Sequence, residues 1–515
     1  MSKKKKRILV ILCSVLAVIL VSIAGYYGYK AMDKSKAEAK KKELLSILKG
    51  NENKQIELKD GRSFYKLDVA LDENRNIIYG YEKVKFKNNY KDELKEVVFH
   101  LYPDSYSKKD TMPTIGPIPR MLLTEENYGK IDIDRVSLNG EDLSFVDKNQ
   151  VLKVPLKSTL KPEETIELDI KFSLKVPKGT DRLGFKNEQY SITNWYPILS
   201  IYDEKTKTFD ETPFYPVGES NYANCSDYEV NIIVPKDMVV ASSGNVEIKN
   251  KDRNHDIASC KGTNIRDFDF FMSKDYKCLT KTQNGITIKS YYLKYKETGE
   301  RMLNLASESI EFFNKTFGKY PYNTYSVVET YLSGGAMEYP NITQMGHYKK
   351  LPSEYSNDSR DFLDEAVVHE TAHQWWYSTV GNNEFKDPIL DESFTSYSTA
   401  LFFEKKLGED DEYSVKNYVK TSKKPNDVIY RQSDKYDWMT LELYVYKLGP
   451  AVIEDLRKKV GEEKFLEIYK TYYEKYKFKN ATLDGFLEVV KEKSGQEVSD
   501  YIKDEFTKPG YINNN

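Results

Sequence analysis

Only five histidines occur in the 515 residues, and two of them stand four apart with a glutamate beside the first: Val368-His369-Glu370-Thr371-Ala372-His373-Gln374-Trp375-Trp376. Four residues is about one helical turn, so on a helix both imidazoles share a face and can hold one metal ion. Glu370 then lies where it can act as a base on a water that the metal polarises. A catalytic zinc usually takes three protein ligands and keeps a fourth position open. The third ligand must therefore come from a second segment. Leu390-Asp391-Glu392-Ser393-Phe394-Thr395-Ser396-Tyr397 offers it, with Glu392 standing 19 positions past His373. That spacing allows one loop, over roughly 381–390, and a returning helix that brings the carboxylate to the metal. Alone, Glu392 would be an ordinary helix-start carboxylate. A chance His-Glu-x-x-His match on an amphipathic helix is the bland alternative, and the scarcity of histidine argues against it.

Several elements have to position these groups. A helix over 361–377 carries both histidines, and another over 393–407 follows Glu392. Met302, Leu305, Ile310 and Phe313 recur at helical spacing over 301–317, and further helices are expected at 440–459, 462–475 and near 484–494. Upstream the period changes. Segments 65–71 and 166–172 alternate apolar and polar residues, 81–86 does so over its last three, and 228–235 ends in a continuous apolar run. Such alternation, with turn residues between runs, predicts antiparallel sheets that each keep one solvated face. The expected fold is an N-terminal all-β, sandwich-like domain over 61–277 followed by an α+β domain over 278–515. Trp195 reads as a core residue. No internal repeat, phosphate loop or dinucleotide fingerprint is present.

The formal net charge of −2 conceals an uneven distribution. Residues 1–50 hold 12 Lys/Arg against 3 Asp/Glu, and the remainder holds 66 against 77. An acidic body argues against a nucleic-acid partner. Lys3-Lys4-Lys5-Lys6-Arg7 precedes an uncharged, mostly apolar run over 8–24 that continues with aromatic character to 29. The expectation is a cytoplasmic tail over 1–7, one transmembrane helix over 8–29, and a charged helical stalk within 30–60. The protein would then sit in the cell membrane as a single-pass protein with its body outside. The competing reading is a signal peptide cleaved near Ala24, which exports the body as well. Cys225, Cys260 and Cys278 allow at most one disulfide among them and read most simply as thiols.

The metal motif, the Glu392 segment, His-Gln-Trp-Trp and Asp-Glu-Ser-Phe-Thr-Ser-Tyr together resemble the aminopeptidase N family of gluzincin zinc metallopeptidases. Gly334-Gly335-Ala336-Met337-Glu338-Tyr339-Pro340 resembles that family's Gly-x-Met-Glu segment. There this segment is an edge strand along the substrate cleft, and its Glu holds the free α-amino group of the peptide. The resemblance thus implies substrate binding by Gly334, Gly335, Ala336, Met337 and Glu338, although Tyr339 replaces the family's usual Asn. Val445-Tyr446-Lys447-Leu448-Gly449 resembles the Tyr-x-x-Gly segment, which implies Tyr446 as the donor that stabilises the tetrahedral intermediate. The family more often places Lys just before the Gly, and this departure keeps Tyr444 as a rival.

The resemblance covers about 60–515. It implies a thermolysin-like catalytic domain, one Zn2+ per chain and peptide substrates. Many members carry a large helical domain after the catalytic one, whereas 69 residues follow Tyr446 here, so a more open cleft is expected. The implied function is a zinc aminopeptidase acting on extracellular peptides. A zinc endopeptidase on the same fold, with Glu338 incidental, and a non-catalytic peptide-binding module are the alternatives.

Overall fold

The computed structural model describes residues 2, 32, 34–47, 57–113, 124, 127–348, 362–420 and 427–510. The expected membrane segment over 8–29 lies outside them. Among the described residues no helix is long and apolar enough to cross a membrane.

The first half is β-rich. An eight-stranded sheet runs in the order Asn245–Asn250, His255–Ile265, Ser226–Pro235, Phe64–Asp72, Ile77–Lys87, Thr165–Lys175, Lys130–Leu138, Glu141–Asp142. Its neighbours are antiparallel except Phe64–Asp72 with Ser226–Pro235. Thr165–Lys175 shows why the segment forms a strand: Ile166, Leu168, Ile170, Phe172 and Leu174 are buried, and the residues between them are not. A four-stranded sheet (Ile198–Leu199, Leu94–His100, Val151–Leu160, Val146–Lys148) shares its core, contributing Val97, Phe99, Leu152 and Val154. Trp195 is fully buried in that core and donates its indole N–H to Phe268 O over 2.8 Å.

The charged helix expected as a stalk lies against this sheet over 34–47 instead of standing clear of it. Leu44 is fully buried on Ala70, Tyr79 and Ile233, and Arg75 donates to Ala37 O over 2.8 Å. The mostly charged sequence hides one apolar position that is enough to dock the helix. Cys225 and Cys260 are buried, Cys278 is exposed, and all three are free thiols.

The second half opens with a five-stranded sheet ordered Lys277–Gln283, Ile286–Tyr292, Thr324–Leu332, Ile342–Gly346, Ala336–Tyr339. Ala336–Tyr339 is the edge strand, antiparallel to Ile342–Gly346. Pro340-Asn341 turns the chain between them. Pro fixes the first turn position and Asn341 takes the second at φ 65°, the geometry of a type II turn. Helices cover the rest: Lys296–Thr316, Phe362–Ala372, Phe394–Leu407, Gly449–Val460, Glu462–Tyr476, Leu483–Ser494 and Gln496–Thr507.

Three helical expectations change. The helix carrying the metal motif ends at Ala372 rather than 377, because Trp375 and Trp376 turn into the core to reach Gly318 O and Ser398 Oγ. The helix expected over 440–459 contains a π-helical stretch, Glu442–Leu448, before Gly449–Val460. Gln496–Thr507 is a further helix, separated from its predecessor by Gly495 at φ 92°.

Candidate metal centre and substrate cleft

His369 sits in the last turn of Phe362–Ala372, and His373 follows it, still bonded through its N–H to His369 O at 3.2 Å. Their Nε2 atoms are 3.1 Å apart. Glu392 Oε2 lies 3.2 Å from His369 Nε2 and 3.4 Å from His373 Nε2. Two imidazole nitrogens and a carboxylate oxygen thus meet at one point from two separate segments. All three residues are buried.

Glu392 reaches this point because Ile389–Ser393 is π-helical. The wider turn lets two consecutive residues serve the same imidazole, whereas an α-helix would splay them. Glu392 approaches His373 Nε2, and Asp391 Oδ1 lies 2.7 Å from His373 Nδ1. With Nδ1–H donated to Asp391, Nε2 is left with its lone pair, as a metal ligand requires.

The charge balance fits a cation there. Burial works against ionisation of Glu392, yet His373 and His369 overcome it and hold its pKa well below the ordinary carboxylate value. Burial likewise opposes a charged His373, and Glu338, Asp391 and Glu392 overcome it. The donor set of two imidazoles and one carboxylate is suited to zinc.

Glu370 is buried beside this centre with its Oε2 unpartnered among the described residues. Burial raises its pKa to about 7, against the opposing effect of both histidines. A carboxyl at that value can both take and return a proton near neutral pH.

Tyr446 lies in the second π-helical stretch. Its hydroxyl donates to Glu392 Oε1 over 2.5 Å, and its ring stacks on His369 at 6.2 Å between centroids. Tyr444 points elsewhere, with the Arg431 guanidinium 4.6 Å above its ring. The Tyr-x-x-Gly spacing has a packing reason. Ser393 donates to Val445 O over 2.5 Å, which draws the two π-helical stretches together. A Cβ at position 449 would run into that Ser393 hydroxyl, so glycine is needed there.

Glu338 is on the edge strand and buried, with Oε1 unpartnered among the described residues. Its carboxylate lies within 4.8 Å of both Glu370 and His373. Burial and the charge of Glu219 raise its pKa well above the ordinary value. Gln374 fixes the strand to the metal motif. It donates to Tyr339 O and accepts from Asn341 N, both at 3.0 Å. Gly334 and Gly335 form the turn entering the strand, at φ 104° and 147°.

Residues 334–338 line a cavity of about 430 Å³ together with Glu370, Tyr446 and two of the metal-centre residues, His369 and Glu392. The β-rich half contributes Glu219, held by Arg182 at 3.0 Å. Glu219, Glu338, Glu384 and Asp391 bring oxygens within 4.8 Å of one another. Sequence reasoning had not singled out Asp391, Glu219, Glu384 or Gln374. For Asp391 the signal was its adjacency to Glu392; for Glu219 there was none. Arg266 locks the two halves together, donating to Tyr377 O and Lys479 O at 2.7 and 2.6 Å.

Residues 301–505 match a family model described as "Peptidase family M1 domain". Curated relatives include Aminopeptidase 2 of Candida albicans, 23% identical over 401 residues, covering 72% of this chain and 42% of that protein. Aminopeptidase N of Lactococcus lactis is 26% identical over 249 residues, 45% of this chain and 29% of that protein. The chain therefore spans less than half the length of these relatives. Among solved structures, an M1 zinc metallopeptidase from Deinococcus radiodurans superposes with a TM-score of 0.60 at 17% identity, covering 88% of this chain and 97% of that one. A mutant of it has been solved with a Tyr-Ser-Ala substrate.

Proposed function

With a peptidase family M1 domain over residues 301–505, the chain belongs to the aminopeptidase N-like gluzincins, and on that premise we propose that it is a zinc-dependent aminopeptidase acting on peptides. The observation that carries this reading is the buried Glu338 carboxylate within 4.8 Å of Glu370 and His373. An anionic anchor so close to the base binds the substrate's ammonium group and makes cleavage count from the N-terminus.

His369, His373 and Glu392 would hold the zinc. Bound there, zinc supplies Lewis acidity that polarises the scissile carbonyl and acidifies a water. Glu370 takes the proton of that water at its free Oε2 and passes it to the leaving amine. Its pKa of about 7 suits both transfers. The Tyr446 hydroxyl, which donates to Glu392 in this structure, turns to donate to the developing oxyanion, a contribution of ~3 kcal/mol. Gly334 and Gly335 let the substrate backbone lie against the edge strand without side-chain obstruction. The complex of the Deinococcus radiodurans enzyme with Tyr-Ser-Ala supports a peptide as the occupant of such a cleft.

The compartment is part of the same reading. The basic cluster at 3–7 and the uncharged run over 8–24 support an exported, membrane-tethered enzyme with its catalytic half outside the cell. Surface proteolysis of intact cells tests that placement: the protein would be cut, and protection would refute an external domain.

Activity is tested by digesting matched free and N-acetylated peptides with and without chelator and reading the products by mass. Stepwise loss of N-terminal residues from free peptides, abolished by chelator, is expected. Equal cutting of acetylated peptides would overturn the reading in favour of an endopeptidase.

A further inference from the structure

The cleft has two oppositely charged ends, and the helix carrying the metal motif gives their separation. Glu338 lies at the His373 end, within 4.8 Å of that residue. Lys447 lines the same cavity at the other end. Its ammonium sits 3.8 Å above the Tyr418 ring, and the charges acting on it are those of Glu365 and Glu442. Glu365 is one turn before His369 and two turns before His373. At ~5.4 Å per turn, the two ends are ~11 Å apart. An extended peptide covers ~3.3–3.6 Å per residue, so three residues span that distance.

Lys447 is also a cation without an assigned anion. Among the described residues no carboxylate comes within ion-pair reach of it, and Glu365 and Glu442 act on it only from farther away. Burial pulls its pKa below the ordinary lysine value. Arg182, the other basic side chain lining the cavity besides the metal-site histidine, is already held by Glu219 at 3.0 Å. A half-buried ammonium lacking an anionic partner costs free energy that an incoming carboxylate would recover.

We propose that Lys447 binds the C-terminal carboxylate of short peptides, so that the cleft grips a substrate at both ends and favours tripeptides. This deepens the aminopeptidase reading and rests on Glu338 as the N-terminal anchor. Lys447 is a binding residue here and takes no part in the bond-breaking step.

Binding, measured without turnover, separates this proposal from the activity it rests on. Zinc-loaded Glu370→Gln protein is titrated calorimetrically with di-, tri- and tetra-alanine and with tri-alanine amide. The expected result is that tri-alanine binds best, about tenfold more tightly than its amide. Adding Lys447→Met should abolish the acid-over-amide preference, and Lys447→Arg should retain it. Equal affinity for tri-alanine and its amide would overturn the proposal, as would a Lys447→Met variant that weakens both alike, the mark of a purely structural lysine. The comparison within Glu370→Gln carries the test even if Lys447→Met fails to fold. Failure of the underlying reading shows separately, as no hydrolysis of tri-alanine amide by the unsubstituted enzyme.

Discussion

His373 donates its Nδ1 proton to Asp391 Oδ1 over 2.7 Å, which directs its Nε2 lone pair to the point where His369 and Glu392 also converge. Asp391 therefore sets both the tautomer and the tilt of a metal ligand. Asp391→Asn is expected to lower zinc affinity ~10–100-fold, read by competition with a chromogenic chelator. An unchanged affinity would mean that the contact does not orient the ligand.

The two candidate tyrosines separate by the same logic. Tyr446→Phe removes the hydroxyl that meets Glu392 and should cut kcat by ~10²–10³ with KM little changed. Tyr444→Phe leaves the stack with Arg431 in place and should alter kcat by less than about twofold. Steady-state kinetics on an alanine anilide distinguish them, and a reversed ranking would reassign the role.

Glu338→Gln keeps the size of the anchor and removes its charge. Loss of a charge-assisted contact to the substrate's ammonium should lower kcat/KM for free peptides by ~10–100-fold. The preference for free over N-acetylated peptides should shrink accordingly. A variant that still discriminates as strongly as the parent would place the anchor elsewhere, with Glu219 the nearest alternative.

Stability should depend on pH through a group far from the cleft. His100 is fully buried and stacked on Tyr102 at 4.8 Å. Burial lowers its pKa from 6.5 to about 4, against the opposing charges of Asp210 and Glu211. The folded state thus prefers the neutral ring. Its contribution is present above pH 6.5 and is lost as pH falls through 4, for a total of ~3 kcal/mol. Urea unfolding of His100→Phe across that window should show a shallower decline than the parent, and parallel declines would refute the assignment.

The metal motif was legible in the sequence because its information is local. His369 and His373 share a face whatever the rest of the chain does, and Glu392 needs only one loop and one return. Strands such as Thr165–Lys175 were equally readable from alternation. The π-helical stretches were not. Ile389–Ser393 and Glu442–Leu448 each depart from helical period by a fraction of a turn, which no apolar pattern records, yet they aim Asp391, Glu392 and Tyr446. Glu219 and Glu384 were hidden for a different reason. Their meaning depends on packing between the two halves, where Glu384 accepts from Asn221 N at 2.6 Å. The docked helix over 34–47 was misread because a single apolar contact residue, Leu44, lies in a charged sequence.

The central claim is that His369, His373 and Glu392 hold one zinc while Glu370 moves the proton. Glu370→Gln tests it most directly, with metal content and hydrolysis of an aminoacyl amide measured on the same preparation. The account predicts about one zinc per chain and a rate reduced by ~10³ or more. Full zinc content with parental activity would contradict it.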